Sequence, residues 1–278
     1  EIKKGGMVVY PRMMSSQHSK IAGTGQLSSG NSEMDLLLGG GLDKGTTTLF
    51  VGPSGSGKSN LTMNYAIAAL REGTKVAYFT FEETTANFHK RCEALGMGVK
   101  KNIEDGSFKL QKIDPSELSP GAFANLIQDL VRDEGVGFIA IDSLNGYIQA
   151  MTQEKFLILQ LHELLGYLNN QGVVTAMTLA QQGMIGQMSS PIDITYLADT
   201  VVMTRYFETK GSVKKAMSVI KKRTGAHETT IREFIFSQEG LKVGPPLTEF
   251  EGVLTGVPKY YGKENKILNL NTVSVKTC

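Results

Sequence analysis

From Leu27 onward, short apolar runs and longer segments of helical period alternate along the chain. TTTLFV at 46–51 is β-branched and apolar and predicts a buried strand. NLTMNYAIAALREG at 60–73 places its apolar residues at helical spacing and ends on glycine, which predicts a helix. The series continues with KVAYFTF at 75–81, a helix across 84–95, FKLQKI at 108–113 and a helix over about 119–133, then GFIAID at 137–142, a helix over 153–169 and VVTAMTLA at 173–180. Strands alternating with helices predict an α/β fold, a mainly parallel central sheet flanked by helices. After Ala198 the rhythm changes to DTVVMTRYFE, KKAMSVIKKR and TTIREFIFSQEGLKV, which read as successive strands forming an antiparallel β extension. Residues 1–26 are polar and without a sustained period, and read as an N-terminal arm or interdomain linker in which VVYP is a short edge strand. The chain carries no internal repeat and no low-complexity tract.

Composition narrows this picture. With 278 residues, 41% of them hydrophobic, the chain could hold one large α/β domain or two small ones, with a substantial core. Twenty-nine basic against 27 acidic residues leave a net charge of +2, which predicts no strong attraction to nucleic acid or membrane. Cys92 and Cys278 lack the spacing of a metal site or a disulfide framework, so a cytoplasmic, reducing location is the simplest expectation. No segment approaches the roughly 20 apolar residues of a membrane-spanning helix, and EIKKGGMVVYPR lacks the pattern of a signal peptide. The first methionine is Met7, and a start at Glu1 points to a piece of a longer protein.

The predicted strand at 46–51 and helix at 60–73 bracket the octet GPSGSGKS at 52–59. Gly52, Gly57, Lys58 and Ser59 fill the pattern G-x-x-x-x-G-K-[ST], in which glycines let backbone N–H groups wrap around phosphate oxygens. Lys58 would neutralise the β and γ phosphates, and the Ser59 hydroxyl would hold a magnesium ion. Strand, glycine-rich turn and helix stand in the order that aims a helix N-terminus at the phosphates.

Three further strands deliver polar residues to the same expected edge, because ligands of open α/β sheets sit beyond the carboxyl ends of the strands. FIAID ends in Asp142, a carboxylate placed to support magnesium. Glu82 and Glu83 follow KVAYFTF, where a carboxylate would orient and polarise a water for attack on the γ phosphate. Adjacent acids at a helix start are also ordinary partners of the helix dipole. Gln181 and Gln182 close VVTAMTLA, where an amide would sense the γ phosphate or simply end the strand. In KKRTGAH at 221–227, Lys221 and Arg223 are two residues apart and so share a face. They read either as a solvated edge or as charges offered to a nucleotide held by a neighbouring subunit.

Together GPSGSGKS, FEE, FIAIDS and KKRTGAH, with LSSGNSEMDLLLGGGLDKG before the first strand and FEGVLTGVP near the end, resemble the RecA-fold ATPases of the KaiC family, the circadian-clock kind and its bacterial relatives. The likeness runs from about Leu27 to Gly262, which makes 27–262 the ATPase domain and 263–278 a C-terminal tail. It implies a RecA-like P-loop NTPase that binds ATP with Mg2+, hydrolyses it, and assembles into a ring, usually a hexamer, with ATP at subunit interfaces. By the same resemblance Gly52, Ser54, Gly55, Ser56, Gly57, Lys58, Ser59 and Asn60 hold the nucleotide, Glu82 and Glu83 act in catalysis, and Ser59 and Asp142 support the metal. In the family's K-x-R-x-x-x-H pattern, here Lys221, Arg223 and His227, the lysine and arginine reach the phosphates of the adjacent subunit. Many members carry two such domains in tandem, and EIKKGGMVVYPR is similar to the connector that precedes the second.

One departure limits the analogy. The clock member phosphorylates itself on a serine–threonine pair, and the corresponding positions here are Thr195 and Tyr196, ahead of Asp199 and Thr200. Self-kinase activity is thereby put in question, while ATP hydrolysis is not. Two other classes fit the same motifs: a nucleotide-switched assembly scaffold with little turnover, and a DNA-binding recombinase. The stretch at 182–199 contains no Lys or Arg, which counts against nucleic acid as a partner and leaves an unidentified signalling protein.

Overall fold

Strands that must be buried on both faces read as continuous apolar runs, and such runs make the centre of this molecule. The computed structural model describes residues 2–3, 6–7, 24–114, 118–149, 154–183, 194–255 and 257–262. The expected strand VVYP, most of the N-terminal arm and the tail at 263–278 lie outside the described residues.

In chain order the first elements are β1 (Ile2–Lys3), β2 (Gly6–Met7), β3 (Gln26–Leu27), α1 (Ser32–Leu37), β4 (Leu42–Asp43), β5 (Thr47–Pro53) and α2 (Lys58–Arg71). There follow β6 (Lys75–Thr80), α3 (Thr85–Ala94), α4 (Lys100–Glu104), β7 (Phe108–Lys112), α5 (Pro120–Glu134), β8 (Val136–Asp142), α6 (Leu144–Gln149), α7 (Glu154–Asn170) and β9 (Val174–Gln181). The chain then runs through β10 (Thr200–Thr209), β11 (Ser212–Lys222), β12 (Arg232–Ser237), β13 (Gly240–Pro246), β14 (Phe250–Glu251) and β15 (Lys259–Tyr260).

Nine strands form one sheet in the order β13-β12-β11-β10-β5-β9-β8-β6-β7. Strands β10, β5, β9, β8, β6 and β7 are mutually parallel, and β11, β12 and β13 continue from β10 in antiparallel fashion. The expected extension is therefore present, with one correction: its first strand, β10, pairs parallel to β5 and belongs to the parallel part. TTIREFIFSQEGLKV is not one strand but the hairpin β12–β13, because Gly240 at φ 99° completes a turn after Ser237.

Alternation along β5 divides the core. Leu49 and Val51 face a layer with Phe123, Ile127, Leu161 and Leu164 from α5 and α7. Phe50 faces the opposite layer with Leu61, Tyr65 and Phe88 from α2 and α3. Local signals fix the helix ends: Ser119 Oγ accepts from Ala122 N at 3.2 Å, Pro120 opens α5, and Gly135 at φ 71° ends it. The pattern missed α1, α4 and α6, which span five or six residues each and are too short to show a period.

Candidate nucleotide site

Because β5, β9, β8 and β6 are parallel, their C-terminal ends share one edge of the sheet. The register sets Pro53 beside Gln181 and Thr80 beside Asp142. The residues picked from strand ends are thus neighbours in space.

The octet leaves β5 and closes directly into α2. Gly57, at φ 102°, occupies the N-cap position, so the helix begins at Lys58 rather than at Asn60 as the pattern predicts. Gly52 lies so close to β10 that a Cβ would come within 2.4 Å of the Thr204 carbonyl oxygen. Two residues of β10 brace the loop from that side. The Thr204 and Ser56 hydroxyls share a hydrogen bond of 2.7 Å, and Ser56 Oγ also donates to Pro53 O at 2.8 Å. Tyr206 donates its hydroxyl proton to Ser54 O at 3.1 Å. Ser56 is completely buried, which leaves the backbone of this residue, not its hydroxyl, for a phosphate. Sequence reasoning missed Thr204 and Tyr206 because each lies about 150 positions from its partner (148 and 152) and belongs to no motif.

Over the loop opens a cleft of about 460 Å³, with Lys58, Ser59, Glu82, Glu83, Arg91 and Asp142 in its walls. Lys58 is 7% exposed and donates from Nζ to Pro53 O at 2.7 Å. Burial pushes its ammonium down to about 8, against the opposing attraction of Asp142 and then Glu82. Asp142 accepts from three hydroxyls: Ser59 Oγ at 3.0 Å and Thr178 Oγ1 at 2.6 Å on one oxygen, and the Tyr78 phenol at 2.6 Å on the other. Burial, and after it the Asp142 charge, holds the Tyr78 phenol far above its usual range, so it is a permanent donor.

The two adjacent glutamates diverge. Glu82 accepts from Ser143 Oγ at 2.8 Å. Glu83 is gripped by Arg91, whose Nη2 and Nε reach its carboxylate at 2.7 and 3.1 Å. Arg91 Nη1 donates to Asn60 Oδ1 at 2.9 Å, and the guanidinium lies 5.1 Å from the centre of the Phe88 ring. Burial by itself would lower the Arg91 ionisation, but the hydrogen bonds and charge of Glu83 outweigh it and the group is held above its ordinary value. No sequence motif marked Arg91.

Lys221, Arg223 and His227 are not in the cleft. Lys221 Nζ donates to Thr195 O and Ala198 O at 3.1 and 2.7 Å, while Arg223 donates to Tyr196 O at 2.6 Å and meets Asp199 at 3.4 Å. Both cations lie on one face against the same turn, as alternation predicts. Lys222, between them, points the other way and is buried against Leu38 O, Gly41 O and Asp43. His227 is hydrogen-bonded through Nδ1 to Glu228 O at 3.0 Å.

Residues 27–248 match the sequence model of the family described as "ATPase: KaiC". The chain belongs to the KaiC family of ATPases. KaiC domains are RecA-like P-loop folds, which agrees with the sheet and the loop described above, and supports ATP binding and ATPase chemistry for this one. The chain is 24% identical over 260 residues to the circadian clock protein KaiC3 of Synechocystis sp., an alignment covering 93% of this chain and 51% of that protein. It is 25% identical over 268 residues to the circadian clock oscillator protein KaiC of Picosynechococcus sp., covering 95% and 51%, and 25% identical over 243 residues to that of Prochlorococcus marinus, covering 87% and 48%. The chain thus spans about half the length of these KaiC relatives. Among its described residues no helix is long and apolar enough to cross a membrane.

Proposed function

We propose that this KaiC-family chain binds ATP with magnesium and hydrolyses it within a homo-oligomeric ring, a hexamer as the resemblance implies, in which each ATP lies between two subunits. The observation that carries the proposal is the division of charge within one chain. Lys58, Ser59, Glu82 and Asp142 converge on the cleft, whereas Lys221 and Arg223 sit together elsewhere, against the turn at 195–199.

In this reading the loop backbone from Gly52 to Asn60 cradles the phosphates at the N-terminus of α2. Lys58 exchanges the Pro53 carbonyl for a phosphate oxygen, whose charge favours the protonated ammonium. The Ser59 hydroxyl and Asp142 carboxylate, 3.0 Å apart, are the hard oxygen donors that would hold magnesium. When bound, magnesium supplies neutralisation of the β and γ phosphates. Glu82 accepts the proton of the attacking water, Gln181 senses the γ phosphate, and Lys221, Arg223 and His227 serve the nucleotide of the neighbouring subunit. The output is regulatory or signalling, through a protein partner rather than nucleic acid, and Tyr196 argues against self-phosphorylation. Residues 27–262 form the ATPase domain, 1–26 an N-terminal arm or interdomain linker and 263–278 a tail, in a cytoplasmic protein.

Complementation tests the shared site. Arg223→Ala should lower hydrolysis by about 10³-fold or more while leaving ATP binding intact, as loss of an arginine finger does. Mixing it with Glu82→Gln should restore activity, because some interfaces then combine an intact loop side with an intact arginine side. Mixed rings that form and stay inactive, or a dilute monomer with full activity, refute the arrangement.

A further inference from the structure

Two carboxylates side by side at the end of β6 pose a chemical problem, since both are negatively charged and both line a cleft that must receive a triphosphate. The side chains resolve it by taking different partners. Among the described residues Glu82 accepts its hydrogen bond from a neutral hydroxyl, Ser143 Oγ at 2.8 Å, and feels the Lys58 ammonium through space without an ion pair of its own. Glu83 meets the fork of Arg91, with three N–H···O contacts at 2.7, 3.1 and 3.3 Å. The fourth contact of that guanidinium, 2.9 Å to Asn60 Oδ1, goes to the residue directly after Ser59 on the first turn of α2.

We propose that Arg91 is a positioning residue: it neutralises Glu83, ties it to the phosphate-loop helix through Asn60, and so leaves Glu82 as the sole proton acceptor at the end of β6. The proposal rests on the reading of Glu82 as the base. The ion pair is rigidly built, because Arg91 also lies over the Phe88 ring on its own helix and the Glu83 backbone N–H is held by Thr80 Oγ1 at 3.2 Å. Around the cleft, Lys58 and Arg91 face Glu82, Glu83 and Asp142. Removing Arg91 leaves all three cleft carboxylates against the incoming phosphates, where one of the three was previously cancelled. Removing both Arg91 and Glu83 restores the balance, since a pair deleted together leaves no unpaired charge.

The test is a double-mutant cycle with two readouts, the affinity for ATP with magnesium by calorimetry and the separate values of kcat and KM. Arg91→Gln should weaken ATP about tenfold, equivalent to about 1.4 kcal/mol, and lower kcat at least as much. Glu83→Gln should keep kcat within about tenfold, because the amide oxygen still accepts from Arg91. The double variant should bind ATP and turn it over better than Arg91→Gln alone, within about threefold of the parent. Arg91→Lys, which keeps the charge and loses the fork, should bind ATP like the parent and fall between parent and Arg91→Gln in kcat. Losses that simply add in the double variant reduce Arg91 to a packing residue and overturn the proposal. So does a Glu83→Gln variant as inactive as Glu82→Gln, since Glu83 is then the base. Undiminished turnover in Glu82→Gln overturns the assignment of the base alone, and recovery of ATP affinity in the double variant then still supports the neutralising role of Arg91.

Discussion

Replacing Lys58 by methionine is expected to stabilise the nucleotide-free protein while removing its affinity for ATP. Lys58 is 7% exposed, and burial depresses its ammonium from 10.5 to about 8. At neutral pH the lysine is protonated in both folded and unfolded chains, so the whole displacement opposes folding, by about 3 kcal/mol. Methionine retains the apolar stem and gives up the hydrogen bond to Pro53 O, worth about 1 kcal/mol. The net gain is about 2 kcal/mol, which at 2–4 °C per kcal/mol raises the melting temperature by roughly 4–8 °C. Added ATP with magnesium should raise the melting temperature of the parent and leave the variant unmoved. The pH dependence has a definite sign. Between about 8 and 10.5 the folded parent has released the proton that the unfolded chain still holds, so parental stability rises with pH in that window. The gap between parent and variant should therefore close as pH increases from 7 to 10. A variant that melts below the parent at pH 7, or a gap independent of pH, would refute the burial argument; an ATP-induced shift in the variant would refute the assignment of the phosphate loop.

Two further substitutions separate the loop from its surroundings. Gly52→Ala drives a methyl to 2.4 Å from the Thr204 carbonyl oxygen, so β5 and β10 must part. We expect a loss of about 1–3 kcal/mol in urea unfolding together with weakened ATP binding, and normal values of both would show that the loop tolerates displacement from β10. Lys222→Ala leaves Leu38 O and Gly41 O without the ammonium donor and takes the cation from Asp43, which keeps its hydrogen bonds from Gln26 and Thr224, at a cost of about 2–3 kcal/mol, while ATP affinity changes less than twofold. A change in affinity comparable to the loss of stability would contradict the separation of Lys222 from the nucleotide site.

The strand ends were the most legible part of this molecule. In parallel strands side by side, a polar residue that closes an apolar run has only one edge on which to lie, so Glu82, Asp142 and Gln181 could be assigned to that edge from sequence alone, and Lys58 was added by the phosphate-loop pattern. The same-face placement of Lys221 and Arg223 was legible for an equally local reason, the period of two along a strand. What escaped were elements too short to show a period and partners supplied from a distance.

The sequence by itself thus determined the order of the longer strands and helices, the phosphate loop and the edge of the sheet at which polar residues collect. These follow from backbone periods and glycine conformations, which are properties of a few consecutive residues. Only the tertiary structure decided that β10 inserts beside β5 and braces the loop through Thr204 and Tyr206. Only there, too, do Glu82 and Glu83 become unlike, one against the Ser143 hydroxyl and the other in the fork of Arg91. Adjacent identical residues carry the same intrinsic chemistry. Their difference arises from the direction in which the folded chain turns each side chain, and from the charge it finds there.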